Sequence, residues 1–269
     1  MLGNFRINKK KIYQYDRLEN FIKNFPESVN DTQINKFISF LKSIDYEQVI
    51  ISNEFFTASR FSESKIKLKL EALAKLTKKL EEMFEVRILM IIKNQLSMLR
   101  SLYMDHPDGL GFLKPKWYSF DDFVESVFKE NLDLINNLKY YDILKLMKKL
   151  DLINYLNLLL LEDLKYSKLG FASKLANLIN IDKELIYNKF SVKKNSSSFK
   201  SYYLILRRFY FITNSRILGY IRKYFSNKIN FHLNISQYSA QLVLNQFKDN
   251  NELLFIYLKN YNIQERSIN

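Results

Sequence analysis

The chain has 269 residues, of which 47% are hydrophobic and 15% aromatic, so it can bury one large core. It contains no cysteine and 2 histidines, which excludes disulfides, a cysteine nucleophile and zinc sites built from thiolates or three histidines. The formal net charge is +14. No apolar run reaches the roughly 18 residues that a membrane helix needs, and the N-terminus is too polar for a signal peptide. We therefore expect a soluble, cytoplasmic protein without a transmembrane segment.

The first part of the chain predicts helices followed by a strand. Apolar residues at three- and four-residue spacing predict helices between residues 14 and 43, interrupted at Pro26. The β-branched segment EQVIIS, residues 47–52, predicts a short strand that ends just before Glu54. The amphipathic pattern of residues 64–84 then predicts a long helix.

The middle of the chain repeats this strand-then-helix order. The apolar segment VRILMIIK, residues 86–93, predicts a buried strand, and the pattern from Gln95 onward predicts a helix. Helices are also predicted at residues 119–128, 140–150 and 171–180, with a third strand within residues 155–164. Strands that alternate with helices predict a parallel sheet covered by helices on both faces. We expect one α/β domain over residues 1–269, with a basic, helix-rich C-terminal extension from about residue 190.

A group of polar residues lies where the second predicted strand ends. Lys93, Ser97 and Ser101 recur every four residues, which places them on one face of the predicted helix. In open parallel sheets, ligands bind beyond the carboxyl ends of the strands, near helix N-termini. A lysine with serine hydroxyls on the same face is suited to bind a phosphate. The alternative is that these side chains are simply solvated, as polar residues at strand–helix junctions often are.

The segment KNQLSMLRSLY, residues 93–103, resembles the nucleotide 3′-phosphate motif of sulfotransferases, in particular of bacterial sulfotransferase-like proteins. In that family a basic residue at the strand end, usually arginine, and a serine eight positions later bind the 3′-phosphate of phosphoadenosine phosphosulfate (PAPS). Lys93 and Ser101 stand at these two positions. Lysine keeps the charge of arginine but loses its bidentate geometry. The resemblance extends over roughly residues 47–200, through VIISNEFF and through the segment that begins YLNLLLLEDL.

This resemblance implies a P-loop or Rossmann-like parallel sheet and transfer of a sulfuryl group from PAPS to a hydroxyl of a carbohydrate-type acceptor, without a metal. It also implies a general base near the acceptor, for which Glu54 is the candidate; a surface carboxylate is the alternative reading. The segment VKKNSSSFKSYY, with Lys193 and Lys194, stands where the family places a basic loop that closes over the nucleotide. Glu162 and Asp163 are expected to be structural, as a helix cap or ion-pair partners. His106 is a further candidate base in a predicted loop; the alternative, which is the commoner case for a loop histidine beside a proline, is an exposed side chain without a role.

The chain departs from the family at its N-terminal side. The family begins with a strand and a Gly-rich, lysine-containing loop that holds the 5′-phosphosulfate, but Gly3 is the only glycine before Gly109. We therefore expect either an N-terminally truncated member or a diverged protein that no longer transfers a sulfuryl group.

A different class of function is suggested by the distribution of charge. Residues 185–248 contain no acidic residue but many lysines and arginines, interleaved with aromatics in FKSYYLILRRFYF. This pattern is typical of a surface that binds nucleic acid or another polyanion. The alternatives for the protein are thus a sulfotransferase-like enzyme and a non-catalytic polyanion-binding protein, while the basic character itself also fits a compositional bias.

Overall fold

The structure is a computed structural model that describes residues 31–43, 63–105, 119–130, 132–191 and 235–268. Within these ranges the chain has a helix-rich, mixed α/β fold with a two-stranded parallel sheet. The strands are β1 (Ile88–Ile92) and β2 (Leu156–Leu160), and a 3₁₀ turn (Leu152–Tyr155) precedes β2. The helices are α1 (Asp31–Lys42), α2 (Glu63–Leu80), α3 (Gln95–Asp105), α4 (Phe120–Lys129), α5 (Leu134–Leu138), α6 (Tyr140–Lys149), α7 (Asp163–Tyr166), α8 (Lys168–Ile179), α9 (Lys183–Ser191) and α10 (Gln237–Ile268).

The predicted alternation of strands and helices is confirmed in this coarse form. The apolar segments 86–93 and 155–164 form β1 and β2, and each is followed directly by helical structure. The helices predicted in segments 64–84, 119–128, 140–150 and 171–180 are present as α2, α4, α6 and α8. The strand predicted at residues 47–52 lies outside the described residues, as does the helix predicted before Pro26.

The two strands are parallel, so the chain must cross from the end of β1 back to the start of β2. Helices α3 to α6 lie within this connection. Just beyond the strands, the N–H of Leu161 donates to the carbonyl of Ile92 at 2.8 Å, which continues the pairing past the end of β2. The carboxyl ends of β1 and β2 therefore lie side by side, and the residues that follow them are neighbours.

The chain divides into two compact units, of which the first comprises residues 1–88 and 142–156. Its core packs one face of α1 against α2. The buried residues of α1 recur at three- and four-residue spacing, as expected for an amphipathic helix. This core contains Ile34, Phe37, Ile38, Leu41, Ala72, Leu76 and Leu80. Burial of each large apolar side chain stabilises the unit by roughly 1.5–3 kcal/mol.

The second unit comprises residues 89–141 and 157–269 and contains nearly all of both strands. One part of its core packs Leu159 of β2 against Phe171 and Leu175 of α8 and Ile186 of α9. A second part is aromatic: the ring of Tyr103 on α3 lies 5.6 Å from Phe120 and 5.4 Å from Phe123, both on α4. Helices α4 and α10 also meet through Phe128 and Phe247, whose ring centroids are 5.9 Å apart.

Helix α4 begins with a complete capping box. Ser119 accepts a hydrogen bond from the N–H of Asp122, and the Asp122 carboxylate accepts one from the N–H of Ser119. Asp121 in the same turn accepts hydrogen bonds from Ser236 and Ser239, at the start of α10. This first turn therefore joins α4 to α10 within the second unit.

Among the helices in the described ranges, none combines the length and the apolar character needed to cross a bilayer.

Candidate functional site

The end of β1 passes directly into α3 through Lys93 and Asn94. The side-chain oxygen of Asn94 accepts a hydrogen bond from the N–H of Ser97 at 3.2 Å, and its carbonyl accepts one from the N–H of Met98 at 2.8 Å. Asn94 is therefore the N-cap of α3, a position that asparagine favours because its side chain satisfies a backbone donor of the first turn. This cap fixes the direction in which α3 leaves the sheet.

Lys93 and Ser101 meet on one side of α3. The Lys93 ammonium donates a hydrogen bond to the Ser101 hydroxyl oxygen, with 2.5 Å between the two heavy atoms. Both residues are half-buried. The sequence placed them on the same face, and the structure brings their polar atoms into direct contact. An ammonium group and a hydroxyl that converge in this way can bind the same anionic group.

The peptide unit between Lys93 and Asn94 is held at both of its ends. The Tyr140 hydroxyl donates to the carbonyl of Lys93 at 2.7 Å, and the N–H of Asn94 donates to a carboxylate oxygen of Glu162 at 2.9 Å. Tyr140 is the first residue of α6, whereas Glu162 follows β2. Two distant parts of the chain therefore orient the backbone from which the Lys93 side chain extends.

Tyr140 is only 5% exposed, and this burial is the main reason why the pKa of its phenol lies well above the usual range for tyrosine. The negative charge of Glu162 acts in the same direction, because it disfavours a phenolate nearby. The hydroxyl of Tyr140 therefore stays protonated at neutral pH and remains a donor to the Lys93 carbonyl. It can hold the site but cannot act as a base there under ordinary conditions.

A pair of amide side chains supports the start of α3 from α10. The buried Gln95 donates to the side-chain oxygen of Asn251 at 2.6 Å and to the carbonyl of Leu138 at 3.4 Å. The neighbouring Asn250 accepts a hydrogen bond from the backbone N–H of Tyr141 at 3.1 Å. Helix α10 is thus bonded both to the first turn of α3 and to the first turn of α6, the two elements that carry the site.

The two carboxylates after β2 have different partners. Glu162 caps no helix with its side chain and instead binds the N–H of Asn94. Asp163 forms an exposed ion pair with Lys174 at 3.3 Å, as the sequence suggested for a structural carboxylate. Both therefore join separate segments of the second unit, but only Glu162 touches the residues around Lys93.

The other predicted site residues belong to segments outside the described residues. These are Glu54, the candidate general base, together with Lys193, Lys194 and His106. Of the acid-free segment 185–248, residues 192–234 also lie outside them. Within the described residues no cluster of three or more histidine, aspartate and glutamate side chains could hold a metal ion.

Two contributors to the site were not predicted from the sequence. The sequence predicts Tyr140 only as one residue of an amphipathic helix, and Asn251 lies 156 residues from its partner Gln95. No local pattern identifies such partners.

Comparison with known proteins yields no match to a protein-family model, to a curated protein or to a solved structure.

Proposed function

We propose that the chain binds the 3′-phosphate of an adenine nucleotide through Lys93 and Ser101, as a sulfotransferase-like protein. The observation that carries this proposal is the 2.5 Å contact between the Lys93 ammonium and the Ser101 hydroxyl at the carboxyl end of β1. These are the two residues that the resemblance to sulfotransferases pairs on one phosphate. They are eight residues apart in sequence, and their polar atoms converge on one point.

Three features of this pair and its position favour an anion. An ammonium group has three donors, and the Ser101 hydroxyl oxygen accepts a hydrogen bond from the Lys93 ammonium. The Ser101 hydroxyl can still donate its own hydrogen to a phosphate oxygen. The N-terminus of α3 adds a partial positive charge near Lys93, which favours negatively charged ligands. The position also agrees with the rule that ligands of parallel α/β sheets bind beyond the carboxyl ends of the strands. The proposal implies a larger P-loop or Rossmann-like sheet than the two strands of the described residues.

The reaction that this proposal implies is an in-line transfer. The sulfur–oxygen bond between the sulfuryl group and the 5′-phosphate of PAPS breaks while a new bond forms to the hydroxyl oxygen of a carbohydrate-type acceptor. A general base takes the hydroxyl proton, and adenosine 3′,5′-bisphosphate leaves. Glu54 is the proposed base, and Lys193 and Lys194 are the proposed cations around the nucleotide. Lys93 and Ser101 hold the end of the donor that does not react.

Ligand-induced thermal stabilisation tests the proposal. Adenosine 3′,5′-bisphosphate should raise the unfolding temperature of the wild-type chain, since a ligand at 100 times its Kd stabilises the folded state by about 2.7 kcal/mol. Adenosine 5′-monophosphate, which lacks the 3′-phosphate, should give a much smaller shift. Lys93→Ala should abolish the difference between the two nucleotides, and Arg100→Ala, which removes an exposed charge from the same helix, should not.

The polyanion-binding alternative predicts a different outcome. Heparin and single-stranded nucleic acid would then stabilise the chain at least as well as the nucleotide, with a steep loss of the effect in salt. Lys93→Ala would change that stabilisation no more than Arg100→Ala does. This result would favour the acid-free segment 185–248 as the binding surface and would contradict the nucleotide site.

A further inference from the structure

The backbone N–H of Asn94, the residue that follows Lys93, has a partner within the chain. The first N–H groups of a helix have no partner within the helix and commonly bind phosphate or other anions. At the start of α3, the N–H of Ser97 is bonded to the side chain of Asn94, and the N–H of Asn94 is bonded to Glu162 at 2.9 Å. A carboxylate of the chain itself therefore occupies this donor.

The negative charge of Glu162 also disfavours the binding of an anion at this end of β1. The residue lies near enough to Tyr140 for its negative charge to help raise the pKa of the phenol, and Tyr140 in turn is bonded to the carbonyl of Lys93. Glu162 thus places a negative charge at the backbone N–H that follows Lys93. The Glu162 side chain does not cap α7, so removal of its carboxylate would not remove a helix cap.

We infer that the negative charge of Glu162 weakens the binding of the nucleotide phosphate at the Lys93–Ser101 site. This inference rests on the proposed nucleotide site and adds a residue that weakens binding there. With Glu162 bonded to Asn94, a phosphate bound by Lys93 and Ser101 is also repelled by the negative charge of the Glu162 carboxylate. Loss of that charge leaves the same cation and hydroxyl with less repulsion of the phosphate.

The sequence offers a matched control in the adjacent residue. Asp163 has the same charge and also follows β2, but its carboxylate is bonded to Lys174 at 3.3 Å rather than to the start of α3. Glu162→Gln and Asp163→Asn therefore remove equal charge at neighbouring positions. Glutamine retains an oxygen that can accept the hydrogen bond from Asn94, so Glu162→Gln changes the charge with little loss of the backbone contact.

The test is the Kd for adenosine 3′,5′-bisphosphate, measured by isothermal titration calorimetry at one ionic strength for the wild type and both variants. We expect Glu162→Gln to tighten binding about three- to tenfold and Asp163→Asn to change it less than about twofold. Lys93→Ala in the Glu162→Gln background should weaken binding again, which assigns the gain to this site. Binding by Glu162→Gln that is equal to or weaker than wild type would overturn the inference, as would an equal gain in Asp163→Asn.

The same titrations separate this inference from the proposed function. If the wild type prefers adenosine 3′,5′-bisphosphate to adenosine 5′-monophosphate and Glu162→Gln shows no gain, the site stands and the role of Glu162 is wrong. If neither the wild type nor Glu162→Gln distinguishes the two nucleotides, the proposed site is wrong and the inference falls with it. A variant that unfolds would be recognised by its circular dichroism spectrum, and Glu162→Asn, which shortens the side chain and removes the charge, then replaces it in the same comparison.

Discussion

Replacement of Tyr140 by phenylalanine removes one hydroxyl group from the centre of the candidate site. This hydroxyl donates to the carbonyl of Lys93 at 2.7 Å, and Tyr140 is 5% exposed, so water cannot readily replace it. A net hydrogen bond is worth about 0.5–1.5 kcal/mol, and a buried acceptor that loses its donor costs about 1–3 kcal/mol. We therefore expect Tyr140→Phe to lower the free energy of unfolding by about 1–2 kcal/mol at pH 8.

The pH dependence of this loss follows from the raised pKa of Tyr140. The folded state keeps the phenol protonated above pH 10, whereas the unfolded state releases the proton near the ordinary value of about 10. The unfolded state then binds fewer protons than the folded state, so wild-type stability must fall as the pH rises above 10. Phenylalanine does not titrate. The stability advantage of the wild type over Tyr140→Phe should therefore shrink by about 1.4 kcal/mol between pH 8 and pH 11.

Urea unfolding at pH 8, 9.5 and 11 measures both effects, with Tyr141→Phe as the control. Tyr141 is the next residue of the same helix, and its backbone N–H, which binds Asn250, is unchanged by the substitution. Tyr141→Phe should change stability by less than about 0.5 kcal/mol. If Tyr140→Phe costs no more than Tyr141→Phe, or if its cost is constant from pH 8 to pH 11, the role assigned to the Tyr140 hydroxyl is refuted.

Two further predictions concern contacts that hold the second unit together. Asn180 ends α8 in the left-handed conformation, with φ 46° and ψ 51°. Asn180→Ala should therefore lower the free energy of unfolding in urea by about 1 kcal/mol, whereas Asn180→Gly should not lower it. Equal stability of the two variants would contradict this account. The amide pair of Gln95 and Asn251 should be coupled: Gln95→Ala and Asn251→Ala should each cost about 1–3 kcal/mol, and the double variant should cost at least about 0.5 kcal/mol less than their sum. Strict additivity in this cycle would mean that the two side chains contribute independently.

The parts of the fold that were predictable are those with a local sequence pattern. Largely apolar segments such as ILMII and LNLLL indicate strands, and both form the described sheet. The apolar residues of α1 recur at helical spacing, and they are the ones that pack into the core of the first unit. The approach of Ser101 to Lys93 was also predicted, because residues four apart on a helix are neighbours, and Ser97 and Ser101 continue the face that begins at Lys93. Lys93 itself lies just before α3 and reaches Ser101 with its long side chain.

The parts that were not predictable depend on contacts between distant segments. Tyr140 lies 47 residues from Lys93 along the chain, and Glu162 lies 68 residues from Asn94. Neither spacing is encoded in a periodicity, since both contacts arise only when α6 and β2 come together beside the end of β1. The sequence therefore indicated that Glu162 is structural but not that it binds the start of α3, and it gave Tyr140 no role beyond its helix.

The most direct test of the central claim follows the two phosphates of one ligand separately. Adenosine 3′,5′-bisphosphate gives two distinct ³¹P resonances, and titration of the nucleotide with protein shows which phosphate is bound. We predict that the 3′-phosphate resonance shifts and broadens with the wild-type chain, and that Lys93→Ala and Ser101→Ala each strongly reduce this effect. An unchanged 3′-phosphate resonance in the wild type, or a shift that persists in both variants, would contradict the assignment of Lys93 and Ser101 to a nucleotide 3′-phosphate.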